Sequence, residues 1–421
     1  MRPGLRLLCV SAFAAAVLSG ACATGSARDR DGGEIPDLDG DPGSDGSGDR
    51  ADAREGEGPT SIASFMPASL TVPRGGMGTL TVTLDAPAGT GGVAIALDSD
   101  DDSGAVLTLP SSLVVAEGDL SGSVTVEGVG VGGPVDVRAT FGSNSETASV
   151  RVVPPLGGLT GPTGELVVGA AAVFTVSLET ATPEPVAITI TSTEPSIATV
   201  PAAVTVPAGA STASFNVTGA GLGKTTIVAH VGDATASAPV KVGGVVLSEI
   251  LYDLSGDDEQ KEWVEIYNRG AVAVDLTGVR IQINNGSSGG YVDSLILSGV
   301  IGAGGCKVVG GPLAGPTAGN FTPAGFTYLV TGDFTPSLGN AGSTSAEAGD
   351  AIALVTSAGT MVDVVLYGNN NGDGITNADG VAFPAPHVAD VAPGRSIERT
   401  GPLPGTTWRV QTAPVPGTCA F

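Results

Sequence analysis

Residues 80–84 read Leu-Thr-Val-Thr-Leu, and residues 174–178 read Phe-Thr-Val-Ser-Leu. Apolar side chains alternate with small polar side chains in both stretches, and again in Ser-Phe-Asn-Val-Thr at residues 214–218. Successive side chains of a strand point to opposite faces, so a period of two indicates a strand with one face in a core and the other in solvent. The pattern predicts β-sandwiches built from half-buried strands.

These stretches belong to two copies of one repeat. Residues 110–118 (Pro-Ser-Ser-Leu-Val-Val-Ala-Glu-Gly) align with residues 201–209 (Pro-Ala-Ala-Val-Thr-Val-Pro-Ala-Gly). Gly and Pro interrupt the apolar segments about every 8 to 12 residues, which predicts a sandwich of about seven strands in each copy. The pattern is similar to the immunoglobulin-like repeats found in tandem on bacterial surface proteins. That resemblance implies spacing or adhesion and no catalysis.

Composition narrows the class of protein. The chain of 421 residues contains 65 Gly and 29 Pro but only 4% aromatic residues, which suits many short strands joined by tight turns. The net charge is −25, and the few Lys and Arg form no basic stripe. Binding to a nucleic-acid backbone requires clustered cations, so this class of partner is excluded.

The N-terminal residues resemble an export signal. Arg2 and Arg6 precede an apolar run at residues 7–18, followed by Ser-Gly-Ala-Cys at residues 19–22. This is the pattern of a secretory signal peptide. Ser-Gly-Ala-Cys is similar to a lipobox, which predicts cleavage before a lipidated Cys22. Ala-Cys-Ala at residues 21–23 also fits ordinary secretion, in which no lipid is attached.

An acidic segment follows this signal. It is rich in Asp, Gly, Ser and Arg, with few apolar residues, and cannot bury enough surface to fold. The composition predicts a disordered tether at residues 23–62. Its run of aspartates, Asp37 to Asp45, offers oxygen ligands for calcium but is better explained as a solvated linker.

Two cysteines remain after the signal peptide and Cys22. Cys306 and Cys419 form an even pair in a chain predicted to reach an oxidising compartment, and no metal-ligand spacing surrounds them. They predict a disulfide that ties the end of the chain to its last domain. The alternative is two free, buried thiols.

From Val245 the sequence changes character. Residues 246–252 read Val-Leu-Ser-Glu-Ile-Leu-Tyr, and residues 262–268 read Glu-Trp-Val-Glu-Ile-Tyr-Asn. In the second stretch Trp263, Glu265 and Tyr267 share one face of a strand, and Val264 and Ile266 occupy the other. The pattern predicts a strand with one apolar and one amphipathic face.

This region resembles the lamin tail domain, an immunoglobulin-like sandwich that recurs in exported bacterial proteins. The sequence departs from the family at Val279, where Trp is common, and in a Gly- and Pro-rich insertion near residues 310–344. The resemblance implies a tethering or recognition module. Further matching landmarks are Ile301–Gly305, Gly349–Leu354, Met361–Gly368, Gly394–Arg399 and Trp408.

No catalytic constellation emerges from the sequence. Glu262 and Glu265 are three residues apart on a strand and so point to opposite faces, which prevents them from sharing a substrate. Glu249 and Glu265 are candidates to meet across strands, although an acid–base role is not favoured. Arg395 and Arg399 are expected to make structural salt bridges or to cover apolar surface. The chain is therefore predicted not to be an enzyme.

One polar loop suggests a ligand. Residues 369–380 read Asn-Asn-Asn-Gly-Asp-Gly-Ile-Thr-Asn-Ala-Asp-Gly. Asn369, Asn371 and Asp373, with Asp379 further on, resemble the opening of a calcium loop, but the acid usual at position twelve is missing. A calcium-binding loop and an Asx-rich surface loop both remain open, and no other cofactor is expected.

The sequence thus predicts an all-β protein: signal peptide 1–22, disordered tether 23–62, immunoglobulin-like sandwiches 63–153 and 154–243, and a lamin tail-like sandwich 244–421. The predicted function is a non-enzymatic, monomeric lipoprotein of the outer membrane or cell surface. Its expected partners are the membrane, through the lipid, and a cell-surface protein or polysaccharide. The alternatives are a structural envelope lipoprotein without a ligand and an accessory subunit of a secreted hydrolase.

Overall fold

A computed structural model describes residues 58–254, 260–284, 290–311, 328–339, 349–368, 371, 374–377, 380–383, 388–401 and 407–419. All regular secondary structure in these ranges is β-strand. None of the described residues forms a helix with the length and hydropathy of a membrane span. The predicted signal peptide, Cys22 and nearly all of the predicted tether fall outside the described residues.

The first sandwich contains nine strands. One sheet has the order β1-β3-β7-β5 and the other β2-β9-β8-β4-β6. In β3 the apolar residues Leu80, Val82 and Leu84 are buried, as the alternation predicts. The strands are β1 (Ile62–Met66), β2 (Ser69–Pro73), β3 (Met77–Leu84), β4 (Val93–Ser99), β5 (Leu107–Thr108), β6 (Ser112–Val115), β7 (Ser121–Gly128), β8 (Gly132–Phe141) and β9 (Asn144–Val153).

The second sandwich repeats this topology strand for strand. Its sheets have the orders β10-β12-β16-β14 and β11-β18-β17-β13-β15. The strands are β10 (Leu156–Thr160), β11 (Leu166–Val167), β12 (Ala171–Leu178), β13 (Val186–Ser192), β14 (Ala198–Thr199), β15 (Ala203–Val206), β16 (Thr212–Gly219), β17 (Gly223–Val231) and β18 (Ala234–Gly243).

Each sandwich has nine strands, two more than the seven predicted. One addition is a two-residue strand, β5 or β14, and the other arises because the first strand of each copy is divided in two, with each half in a different sheet. In the first copy β1 pairs antiparallel with β3, whereas β2 runs parallel to β9 over residues 69–73 and 149–153. In the second copy the equivalent parallel pair, β11 with β18, is only two residues long.

The third sandwich packs a six-stranded sheet on a four-stranded sheet. The first has the order β26-β25-β20-β19-β29-β30 and the second β23-β22-β27-β28, while β21 and β24 form a separate pair. The strands are β19 (Val245–Leu251), β20 (Trp263–Asn268), β21 (Val274–Asp275), β22 (Arg280–Asn284), β23 (Val292–Ile296), β24 (Val300–Ile301), β25 (Cys306–Gly310), β26 (Tyr328–Thr331), β27 (Asp350–Val355), β28 (Met361–Tyr367), β29 (Ser396–Arg399) and β30 (Trp408–Gln411).

A β-bulge interrupts the pairing of β19 with β20 at Ser248. At this point an ion pair binds the backbone of Leu247: its N–H donates to Asp363 Oδ2 at 2.8 Å, and its carbonyl accepts from Arg399 Nε at 2.7 Å. Arg399 also binds Asp363 directly, and both side chains are buried. The pair therefore satisfies backbone groups beside the bulge that a regular ladder would satisfy.

Short connections join the sandwiches. Pro154 and Pro155 alone separate β9 from β10, and Gly244 alone separates β18 from β19. Across the second junction Arg269 N–H donates to the Gly244 carbonyl at 2.8 Å, and the Arg269 guanidinium binds Glu165. The buried core of the second sandwich continues into the third, whereas the first sandwich has a separate core.

Candidate functional site

A row of polar residues crosses the six-stranded sheet of the third sandwich. Glu265 on β20 faces Glu249 on β19, and Glu249 faces Glu398 on β29. Beyond Glu398 the next residue across the sheet is Arg409 on β30. Beyond Glu265 it is the apolar Val308 on β25, where the polar row ends. Directly paired residues lie on the same face of a sheet, so three glutamates stand side by side on three neighbouring strands.

The three glutamates are buried. Glu249, Glu265 and Glu398 are 2%, 1% and 1% exposed. Hydroxyl groups from the same sheet serve as donors to two of them: Ser248 Oγ donates to Glu265 Oε1 at 2.7 Å, and Ser396 Oγ donates to Glu249 Oε1. The bulge therefore supplies a donor to the row as well as shifting the register.

Residues 412–419, which we call the C-terminal strap, cover this row. The Val415 N–H donates to Glu249 Oε1 at 3.3 Å, and the Gly417 N–H donates to Glu265 Oε2 at 2.5 Å. Pro414 and Pro416 are buried. Because proline has no N–H, the strap presents its amides at alternate positions, from Val415 and Gly417, each directly after a buried proline.

A disulfide fixes the end of the strap to the sheet. Cys419 is bonded to Cys306 on β25, with 5.4 Å between the Cα atoms. Cys306 pairs with Tyr267, two residues along β20 from Glu265. The structure thus contains the cross-link that the cysteine count predicts, and the cross-link holds the strap over the row.

The electrostatics of the row follow from its burial. Desolvation raises the pKa of Glu249 to about 7, the Ser396 hydrogen bond opposes the shift, and the charge of Glu265 adds to it. Desolvation also raises the pKa of Glu265, against the donors Ser248 and Gly417. Burial therefore favours the protonated form of both carboxyl groups.

Glu398 is held differently. Its Oε2 accepts from Arg409 Nε at 2.7 Å, and the Arg409 side chain is 49% exposed. Its Oε1 is buried without a hydrogen-bond partner. The half-exposed Arg409 therefore borders the row on β30, and one buried oxygen of Glu398 has no hydrogen-bond partner.

The arrangement is suited to holding protons and closing a surface. With the strap in place, all three carboxyl groups are shielded from solvent, so a dissolved substrate does not reach them. Among the described residues, no group of three or more His, Cys, Asp or Glu side chains is placed to hold a metal ion. The row therefore presents three buried carboxyl groups whose protonation is coupled to their burial.

The predicted meeting of Glu249 and Glu265 across strands is present in the structure. Glu262 does not join them: its Oε2 accepts from the Leu338 N–H at 3.1 Å. Arg399 forms the expected buried salt bridge, with Asp363. The face of β20 predicted to be amphipathic is buried at Trp263 and Glu265 and partly exposed at Tyr267.

The predicted calcium loop is described only in part. Asn369, Asp373 and Asp379 fall outside the described residues. The Asn371 side chain accepts from the Ile375 N–H at 2.7 Å and donates to the Ile375 carbonyl at 2.8 Å. These bonds make Asn371 part of a local turn, and calcium binding by this loop stays a prediction.

Sequence reasoning missed Glu398 and the strap. The signal was present in Ser396-Ile-Glu-Arg399, where Ser396 and Glu398 occupy alternate positions of a strand that proves to be buried throughout. A strand covered on both faces cannot be distinguished by period alone from a half-buried one. The cover comes from the strap, whose Val415 lies 166 residues along the sequence from Glu249.

Comparison with known proteins agrees with this architecture. The fold defines an all-β protein of tandem immunoglobulin-like sandwiches. Residues 239–369 match the family model of the Lamin Tail Domain. The C-terminal sandwich is therefore a lamin tail domain, preceded by two immunoglobulin-like repeats. The matched range contains Glu249 and Glu265 and ends before Glu398 and the strap.

No curated protein matches the chain in sequence. Among solved structures, domains 4 and 5 of the S-layer protein SbsC are 21% identical, covering 38% of this chain and 82% of that one, with a TM-score of 0.18. The D0-D1 domain of intimin is 19% identical, covering 43% and 98%, with a TM-score of 0.19. The I67–I69 fragment of titin is 14% identical, covering 57% and 83%, with a TM-score of 0.18.

Proposed function

We propose that this chain is a non-enzymatic, exported surface protein that presents a lamin tail domain on two immunoglobulin-like sandwiches. It is anchored by a lipid on Cys22 in the outer membrane or at the cell surface, and acts as a monomer. Its role is adhesion or envelope scaffolding, with a cell-surface protein or polysaccharide as the partner. Lamin tail and immunoglobulin-like domains are non-catalytic families, which supports a binding or structural role.

The junction at Gly244 carries this proposal. A core shared between the second sandwich and the lamin tail domain, together with the Glu165–Arg269 ion pair, joins the two without a linker. Domains that move independently are usually joined by exposed, flexible linkers with few contacts across them. A lamin tail domain that is joined to the second sandwich without a flexible linker suits a protein that presents its last domain rigidly.

The disulfide supports export. Disulfides persist in oxidising compartments and are rare in the cytosol. Cys306 and Cys419 form one such bond in the same domain that we propose to be displayed. This agrees with the export signal predicted from residues 1–22.

Anchoring is tested by Cys22→Ser. We expect the variant to be released into the soluble fraction, because the predicted lipid cannot be attached to serine. Cys9→Ser is the matched control, since Cys9 lies in the predicted signal peptide and its loss should leave the protein membrane-bound. Cell fractionation and mass spectrometry of the mature N-terminus provide the measurement. A mature wild-type protein that begins at Thr24 without an acyl group would refute the anchor.

Recognition is tested separately. The intact chain is immobilised and exposed to envelope polysaccharides and to purified surface proteins, with the chain reduced and alkylated as a comparison. Saturable capture by the oxidised chain supports presentation of a recognition domain. Normal anchoring with no capture of any of these ligands favours the structural lipoprotein, and selective capture of a secreted hydrolase favours the accessory subunit.

A further inference from the structure

The C-terminal strap buries the surface that carries the glutamate row, whereas ionised glutamates favour contact with water. The strap buries Glu249 and Glu265 and gives each a backbone donor, from Val415 and Gly417 respectively. Bringing several carboxylates out of water onto neighbouring strands is costly when they are ionised, both through desolvation and through mutual repulsion. Closure of the strap is therefore easiest when the row holds protons.

The surroundings of the row do not neutralise it. Glu249 is flanked by Glu265 on β20 and Glu398 on β29, and the cation next along is the half-exposed Arg409 on β30. Residues 412–419 contain no ionisable side chain other than the bonded Cys419. On the opposite side of the sheet Arg399 and Asp363 are paired with each other. The described neighbours thus supply less positive charge than the three carboxylates would need.

A second observation points to a proton in the row. Glu398 is 1% exposed, and its Oε1 is buried without a hydrogen-bond partner. Glu398 and Glu249 are direct partners on neighbouring strands. A carboxyl group can donate a hydrogen bond only when it is protonated. A proton on Glu249 would supply a donor where the Glu398 oxygen lacks one.

We propose that the C-terminal strap is a pH-dependent cover over the glutamate row, and that the Cys306–Cys419 disulfide holds the cover closed when the row ionises. The strap is anchored by two buried prolines, by backbone amides that donate to the row and by one covalent bond. Of these anchors, the covalent bond is the one that ionisation of the row cannot break. Without that bond the strap closes in acid and opens as the solution becomes neutral and then alkaline.

The direction of the pH dependence of strap opening follows from the raised pKa values of Glu249 and Glu265. With the strap closed, burial raises the pKa of Glu249 from 4.5 to about 7 and raises the pKa of Glu265 as well. Opening returns both groups to water, so opening releases protons between these pH values. The opening constant then rises about tenfold per pH unit for each proton released. The closed strap is fully stable below the ordinary glutamate range and loses that stability as the pH passes through about 7.

Hydrogen exchange at the Val415 and Gly417 amides measures the opening directly, because these are the donors to the row. Rates in the full chain at pH 5 and pH 8 are divided by the intrinsic rates at each pH. We expect the Cys306→Ser/Cys419→Ser double variant to lose at least about tenfold more protection at pH 8 than at pH 5. The wild-type chain, held by the disulfide, should show a much smaller difference.

Glu249→Gln in the double-cysteine background separates the row from a general loosening of the chain end. The amide still accepts from Ser396 and Val415 and cannot ionise, so protection at pH 8 should rise about tenfold. Asp293→Asn is the control, an exposed carboxylate on β23 of the same domain, and should change nothing at these amides. Equal protection at pH 5 and pH 8 in the double-cysteine variant, or no effect of Glu249→Gln, overturns the proposal.

If the double-cysteine variant does not fold, the same test is made in the oxidised chain. There Glu249→Gln should still raise the protection of the Val415 amide at pH 8 relative to wild type, since the residual opening also exposes the row. An unchanged Val415 protection factor in that comparison contradicts the proposal independently of the cysteines.

Discussion

Arg399 shows what a single buried charge does in this fold. Its guanidinium bonds Asp363 and the Leu247 carbonyl, and it lies 4.8 Å from the centre of the Trp408 ring. The side chain thus joins the two sheets of the lamin tail domain at the bulge and supports an aromatic residue of β30. Planar, bidentate recognition combined with aromatic stacking is particular to arginine, and lysine does not replace it.

Removal of one partner of this ion pair should destabilise the domain strongly. Arg399→Met leaves Asp363 buried and uncompensated, with an expected loss of about 3 to 5 kcal/mol in the free energy of unfolding. Arg280→Gln is the control: the Arg280–Asp293 pair is 35% and 45% exposed, so its loss should cost about 1 kcal/mol or less. Denaturant unfolding measures both. Equal losses for the two variants would show that the buried pair has no special role.

The residue scale is also where sequence reasoning was least complete. A structural salt bridge was expected at Arg399, but its partner was not identified, because Asp363 lies 36 residues away on the other sheet. Glu249 and Glu265 were recognised as candidates to meet, since strands close in sequence often pair. Glu398 lies beside them because β29 pairs with β19, and a local sequence pattern does not predict pairing between strands so far apart in the sequence.

At the scale of elements, the alternating strands were predictable and the covered strands were not. In β3 and β12 a period of two places the alternating residues Leu80, Val82, Leu84, Phe174, Val176 and Leu178 in the core. β19 and β27 are buried along their whole length, so their polar residues, such as Ser248 and Asp350, lie in the interior. Burial of the second face depends on segments distant in sequence, and the strap over β19 and β20 is one of them.

The junction residue Gly244 has a strict conformational role. Its φ is +135°, and a Cβ at this position would lie 3.1 Å from Val167 Cγ1. Gly244→Ala should therefore cost about 1 to 3 kcal/mol, through backbone strain and the contact with Val167. Gly359→Ala is the matched control, because Gly359 also has a positive φ, +81°, with nothing within 4 Å of the added Cβ.

Thermal unfolding monitored at both sandwiches tests this junction. We expect Gly244→Ala to lower the stability of the second sandwich and of the lamin tail domain together, and by more than Gly359→Ala lowers the lamin tail domain. A variant as stable as wild type would indicate that the junction relaxes without cost and that the fused arrangement is not required.

At the scale of the whole described region, three sandwiches share two large hydrophobic cores. The first sandwich has its own buried cluster, and a second cluster runs without interruption through the other two sandwiches. The ion pairs between the first and second sandwiches, Arg74–Glu179 and Arg151–Glu184, are largely exposed and contribute little. The first junction is therefore expected to be much weaker than the second.

Calorimetry should accordingly resolve two transitions. Leu80→Ala, in the core of the first sandwich, should remove about 2 to 5 kcal/mol from one transition and leave the other unchanged. Leu354→Ala, in the lamin tail core, should lower the second transition and, with it, hydrogen-exchange protection in β17 of the second sandwich. Protection in β17 that does not respond to Leu354→Ala would show that the two sandwiches unfold separately despite their common core.

The parallel pairing of β2 with β9 has a mechanical consequence. Tension applied between the two ends of the first sandwich pulls these parallel strands in opposite directions along their length. The load then acts in shear on the whole five-residue ladder at once, whereas the equivalent pair in the second sandwich spans two residues. In single-molecule pulling the first sandwich should therefore yield at a higher force than the second. Under tension the second sandwich would then extend while the first sandwich stays folded.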